Sequence, residues 1–385
     1  VSSGNLGVGA LTVGNITLAR QVAADMGLAP HFTVMSMRDG DAPALLQGQV
    51  DIFVIDSKAM AKPGGFWSAV GAVDCVLDIG AGDSFADIYG PKRFAFLWLT
   101  KIMAIARRVP LILSPQTIGP FTGKLYRMLA AGAMRRSTAI LARDQQSLNV
   151  VQAMAPQARS ALSVDVAFVL PFEDRSAERD GQKIRVGVNA SGLLFHQAET
   201  GINRFGLGYD YARFTRDLLT RLAARDDVEV HLVPHATSNG DPTDDDGRLA
   251  DRLAGEFPNA VRVPNFSDPS AAKSHISSLD FLVAGRMHAC IGAFSAGTPV
   301  VPVAYSRKFS GLFGLLDYDH VLPMTTPDAD AAVNFVLRHL DQRRELAAAA
   351  AAGMKKVDSL LDVYRSMLKH VFMRAVRSRG VKSEA

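Results

Sequence analysis

The most constraining feature of this chain is an alternation, present in both halves, of short apolar runs with longer stretches of helical spacing. Val50 to Ile55, Cys75 to Ile79, Pro110 to Leu113, Ala139 to Ala142 and Leu162 to Ala167 are apolar runs that end at a polar residue or glycine, and most lead into a helix-like segment. Strands this apolar are covered on both faces, and strands joined through helices run parallel. Phe172 to Lys183 has almost nothing to bury and reads as a linker. Beyond it the alternation restarts with Ile184 to Asn189, Val228 to Pro234, Ala260 to Val263, Leu279 to Ala284 and Pro299 to Ala304. A length of 385 residues suits two such α/β domains. The boundaries are 1–172, a linker at 173–183, 184–345, and C-terminal helices at 346–385 that pack back on the first domain.

Composition excludes several classes. No apolar run reaches the ~20 residues of a membrane span. Phe94 to Ala106, broken by Lys101, reads as a core-facing helix. A net charge of +4 is too weak to imply nucleic acid. Cys75 and Cys290 lie in apolar runs without a CxxC partner, as buried free thiols do. No His, Cys or carboxylate pair has zinc-site spacing. Asp244, Asp245 and Asp246 read as a solvated loop or helix start, and His196 and His275 as ordinary loop and helix histidines. Val357 to Arg379 places Leu360, Leu361, Tyr364, Leu368 and Val371 on one side of a basic helix. That helix either packs on the protein or touches an anionic membrane, and packing is the preferred reading.

Ser277 to Phe309 carries the chemistry. A buried strand ending in Ala284 turns into a helix that begins near Arg286 and His288. A helix start offers unpaired N–H groups and a positive dipole end to an anion, and open parallel sheets bind ligands at such strand ends. Tyr305 to Lys308 adds charge at the next strand end. Between His288 and Asp317 there is no Asp or Glu to hold the ribose of a nucleotide sugar, which favours a compact anion such as phosphoenolpyruvate.

In order along the chain stand "NLGVGALT" (Asn5 to Thr12), "DIGAGDSFADIYG" (Asp78 to Gly90), "SPQTIGPF" (Ser114 to Phe121), "ARDQQS" (Ala142 to Ser147), "VDVAF" (Val164 to Phe168), "LVPH" (Leu232 to His235), "GRMH" and "YSRK" (Tyr305 to Lys308). Taken together the set resembles the polysaccharide pyruvyl transferases. The resemblance implies two facing Rossmann-like domains of GT-B type, the first on the acceptor side and the second holding the donor anion. It further implies transfer from phosphoenolpyruvate, without cofactor, to two hydroxyls of a sugar in a surface or exopolysaccharide precursor. The acceptor is a sugar or a lipid-linked oligosaccharide, and the location is cytoplasmic or peripheral at the inner membrane face. One departure stands out: the family often has Asp just after the glycine where this chain has Val8. The chain also begins at Val1, so an initiator Met and a first strand are expected upstream.

Such chemistry needs an acid, a base and a cationic cradle. His288 is the expected acid and Asp83 the carboxylate that takes or orients the hydroxyl proton. Arg286 is the expected bidentate clamp. Arg143 either grips the anion across the cleft or pairs with Asp144. Lys308 is a phosphate contact or an exposed charge, and Gln116 and Ser114 are ligand contacts or turn formers. His235 serves the acceptor or braces the site, Asn5 in the opening glycine loop is an expected substrate contact, and Asp87 is a carboxylate or helix-start charge. The alternatives are a nucleotide-sugar glycosyltransferase of the same architecture and a relative that binds sugar or anion without turnover.

Overall fold

The computed structural model describes residues 4–37, 46, 48–80, 84–238 and 241–378. In the first half, β1 (Thr33–Ser36) and β2 (Asp51–Val54) form a parallel pair. A second, four-stranded parallel sheet runs in the order β3 (Val76–Asp78), β4 (Leu111–Gln116), β5 (Ala139–Ala142), β6 (Ser160–Leu162). Its helices are α1 (Leu6–Ala24), α2 (Ser57–Ala61), α3 (Phe66–Gly71), α4 (Pro91–Ala106), α5 (Lys124–Arg136) and α6 (Gln145–Met154). The second half builds a five-stranded parallel sheet from β7 (Ile184–Asn189), β8 (Val228–Leu232), β9 (Val261–Arg262), β10 (Phe281–Ala284) and β11 (Val300–Pro302). The spatial order β9-β8-β7-β10-β11 reverses direction between β7 and β10, and that switch point is where such sheets bind ligands. Around it lie α7 (Gly192–Glu199), α8 (Tyr211–Ala223), α9 (Asp246–Glu256), α10 (Pro269–Ser277), α11 (Met287–Ser295), α12 (Arg307–Leu315) and α13 (Ala329–Asp341). The chain closes with the long α14 (Arg343–Ser378).

Three expectations are corrected. β1 was not foreseen, since "TVMS" has too few apolar residues to stand out. The run Leu162 to Ala167 is not one strand: β6 ends at Leu162, and Val166–Val169 is a 3-10 turn. Asp165 breaks the strand because its Oδ1 accepts the Ala167 N–H at 2.9 Å, a local cap that competes with the ladder. "NLGVGALT" is no loop but the first turns of α1, with Asn5 as N-cap accepting from the Gly7 N–H at 3.0 Å.

One hydrophobic core joins both halves. It contains Leu11 and Leu18 of α1, Leu141, Phe168, Ile276, Cys290, Phe294, Leu361 and Leu368. Here α1 packs on the 3-10 turn, α10, α11 and α14. Helix α14 turns Val357, Leu361, Tyr364, Leu368 and Val371 inward. The buried Tyr364 hydroxyl donates to Asn15 Oδ1 at 2.8 Å and shares a 2.7 Å hydrogen bond with Ser114 Oγ. That helix therefore spends its apolar side on the protein. Separate cores lie behind each sheet, one around Phe214 and Leu253 and one around Phe94 and Met134. The linker is held to the second domain: the Glu173 and Arg175 N–H groups donate to Ser274 and Ser277 Oγ, and Arg179 Nη2 reaches Ser277 O at 2.7 Å. Among the described residues no helix is long and apolar enough to cross a membrane.

Candidate anion site between the two sheets

His288 is the second residue of α11, after the turn that follows β10. Helix α1 lies so close that a Cβ on Gly7 would stand 2.3 Å from its Nδ1. The amino ends of α1 and α11 thus meet at this imidazole, and both dipoles favour negative charge there. From the first domain, Arg143 follows β5 and donates Nε to Thr117 Oγ1 at 2.8 Å. Its Nη1 binds Asp165 Oδ2 at 2.6 Å, and the same oxygen lies 3.8 Å from His288 Nε2. Asp165 is fully buried and stands between Arg143 of the first domain and His288 of the second.

His288 Nε2 is buried without a hydrogen-bond partner among the described residues. Burial lowers its pKa to about 4, with Asp165 opposing and Arg143 and Lys308 reinforcing the shift. In these surroundings the imidazole is neutral at physiological pH. His235 is also buried, and burial, with His288 beside it, lowers its pKa to about 3. Its backbone ties α1 down: the Leu6 N–H donates to His235 O at 3.3 Å, and Asn5 bridges Ala236. A small cavity between these two rings is lined also by Ala10, Ile276 and Lys273. Lys308 is half-buried on α12, and its Nζ reaches Tyr89 Oη at 3.5 Å. Its neighbour Arg307 crosses to the first domain, with Nη1 to Gln146 Oε1 at 2.7 Å and Nη2 to Gly119 O at 3.0 Å.

Arg286 takes a different place from the expected clamp. It is buried with its Nε and Nη2 on both carboxylate oxygens of Asp246, at 2.6 to 3.2 Å, and Nη2 also on Asp244 Oδ1 at 2.5 Å. Asp245 and Asp246 are buried, so these two members of the acidic cluster are not solvated, whereas the Asp244 side chain is 40% exposed. Burial pushes the Asp246 carboxyl up, but the Arg286 guanidinium, the Gly192 N–H and the Asn189 amide outweigh this and hold it below the usual range. The cluster does form a helix start: Asp245 caps α9 through the Arg248 N–H, and Asp246 is the first residue of that helix.

Other expected contacts are structural. Gln116 is buried and donates Nε2 to Asp78 O at 2.7 Å, bracing the end of β3. Its Oε1 is buried beside Gly80, without a partner among the described residues. Asp78 itself accepts from the Gly80 N–H and pairs at 3.0 Å with the wholly buried Lys101. Ser114 faces α14 rather than the cleft. Asp87 accepts from Thr122 N, Thr122 Oγ1 and Gly123 N, so it holds the turn before α5. Asp144 caps α6 through the Ser147 N–H and is not the partner of Arg143. Asp83 lies outside the described residues.

Two site residues escaped the sequence reading. Asp165 sat inside "VDVAF", where an acid in an apolar run signals a buried charge that needs a partner. Asp246 was hidden by its acidic neighbours. Among the described residues no group of three or more His, Cys, Asp or Glu could hold a metal ion.

The architecture recurs in known structures. Sucrose-phosphate synthase from Thermosynechococcus elongatus shares 14% identity at a TM-score of 0.50 over 94% of each chain. Anabaena Alr3699/HepE, in complex with UDP and glucose, shares 13% at 0.56 over 96% of each. A putative UDP-N-acetylglucosamine 2-epimerase from Listeria monocytogenes shares 13% at 0.54, covering 89% of this chain and 87% of that one. At such identities the likeness is of fold: two facing Rossmann-like domains of GT-B type. No curated protein matches the chain. A family model described as polysaccharide pyruvyl transferase matches residues 19–307, a span that takes in Arg143, Asp165, Arg286 and His288. The chain belongs to the polysaccharide pyruvyl transferase family.

Proposed function

We propose that this protein transfers the pyruvate unit of phosphoenolpyruvate onto two hydroxyls of one sugar, forming a ketal and releasing phosphate. The observation that carries the reading is the convergence of Arg143 and His288 from opposite domains on the buried Asp165, with the charge of Lys308 also acting on His288. Two cations and two helix amino ends suit the phosphate and carboxylate of one small anion.

The reaction begins with a proton to the methylene carbon, which leaves positive character at C2. One sugar hydroxyl adds there and loses its proton. The C2–O bond to phosphate then breaks, and the second hydroxyl adds and loses its proton to close the ketal. His288 is the proposed acid. It is neutral in its present surroundings, and the negative charge of the bound anion would raise its pKa toward the working range. As Arg143 turns to the anion it would release Asp165, 3.8 Å from His288 Nε2, to hold the imidazolium. Asp83 is the proposed acceptor of a hydroxyl proton, and His235 braces the pocket by tying down α1. The acceptor sugar is free, nucleotide-linked or lipid-linked.

A second reading, transfer from a nucleotide sugar, gains one observation. The acid absent between His288 and Asp317 is supplied in space by Asp244 beside Arg286. Calorimetric titration decides between them. Phosphoenolpyruvate should bind saturably, Arg143→Ala should abolish most of that binding, and UDP and GDP sugars should not compete. Binding of a nucleotide sugar alone would sink the pyruvyl donor.

A further inference from the structure

From Ile88 to Arg143 the chain contains no Asp or Glu, while Lys and Arg recur throughout. Within this stretch α5 buries Ala130, Ala133 and Met134 and turns Lys124, Leu125, Arg127, Met128, Arg135 and Arg136 to solvent. Leu125 is 59% and Met128 62% exposed, more than any other large apolar side chain among the described residues. At 100° per residue both lie in the middle of the outer face, with cations on either side. A merely solvated helix would carry charges of both signs and keep its Leu and Met at the buried edge.

Both ends of α5 extend this surface. At its start, Asp87 grips Thr122 and Gly123, which sets the exposed Ile88 and Tyr89 beside the first turn. At its end, a groove between α4, β4 and α14 is lined by Arg108, Arg136 and Arg374 with Val109, Thr138 and Val371 and, among the described residues, by no carboxylate. Apolar side chains ringed by cations, leading to a pocket of guanidiniums, complement one kind of surface: phosphate headgroups above acyl chains.

We propose that the outer face of α5, with the Arg108, Arg136 and Arg374 groove at its end, docks on an anionic phospholipid bilayer. Leu125 and Met128 enter the interface and lipid phosphates occupy the groove. Two apolar side chains make the attachment shallow and reversible. The proposal is independent of the reaction in the cleft. It also differs from contact through α14, whose apolar side is buried.

Co-sedimentation of the full chain with phosphatidylglycerol–phosphatidylcholine vesicles, beside phosphatidylcholine alone, tests it. Binding should require the anionic lipid and weaken with salt. Leu125→Glu with Met128→Glu should lower it by about ten-fold or more, and Arg136→Glu by about five-fold. Lys355→Glu with Lys369→Glu on α14 should leave it within about two-fold. All these side chains are exposed, so unchanged thermal melting is the expected control. Absence of binding to anionic vesicles, or binding insensitive to the α5 changes, would overturn the proposal. So would a greater loss in the α14 variant. Lipid-free light scattering that shows a dimer abolished by Leu125→Glu with Met128→Glu would also overturn it, making the face an interface between copies of this chain.

Discussion

Arg286 and His288 are two residues apart, yet the fold puts them to opposite uses. Arg286 neutralises Asp246 in the interior, and Lys could not reproduce its fork over two carboxylates. Arg286→Lys is therefore expected to cost about 2 to 4 kcal/mol of stability, read as a lower melting temperature. A loss of phosphoenolpyruvate affinity at unchanged melting would return Arg286 to the anion site. His288 behaves differently because its charged form is the costly one. The unfolded chain binds a proton near the ordinary value of 6.5, while the folded protein resists until about 4, and His235 until about 3. Stability is then full above pH 6.5 and falls as pH drops toward 4, by on the order of 3 kcal/mol for His288. His288→Gln should flatten that part of the stability curve, measured by urea unfolding from pH 7 down to pH 4. Arg143, His288 and Lys308 stood out in the sequence because basic residues at strand ends are visible there. The link between Arg143 and His288 through Asp165 did not, because pairing across two domains leaves no local spacing to read.

Strands and helices differed in legibility for a physical reason. All five strands of the second sheet were readable as apolar runs, since a parallel sheet covered on both faces admits little else. The opening helix was not, because "LGVGALTVG" is rich in glycine and its periodicity is masked. Those glycines serve contact rather than flexibility: a Cβ on Gly14 would stand 2.1 Å from Val166 O, as one on Gly7 would crowd His288. Helix α14 was expected to lie against the first domain, and Tyr364 shows what such an attachment demands. Tyr364→Phe would leave Ser114 and Asn15 short of a partner in a dry interior. A loss of about 1 to 2 kcal/mol is expected, visible in thermal melting without a change in phosphoenolpyruvate affinity.

At the scale of the whole molecule, the two sheets are not independent bodies joined by a tether. α1, the 3-10 turn, α10, α11 and α14 share one core, and the linker is fastened to α10. Domains joined this way should unfold in a single calorimetric transition, and two separated peaks would contradict the shared core. The candidate anion site sits at the rim of that core, where α1 and α11 are positioned by packing. The linker carries little of this cohesion, and Asp180 to Lys183 is exposed at its end. A protease cut there should leave two fragments that elute from gel filtration as one particle and separate only in denaturant. Covalent continuity between the halves is then dispensable once the protein has folded, because the shared core holds them without it.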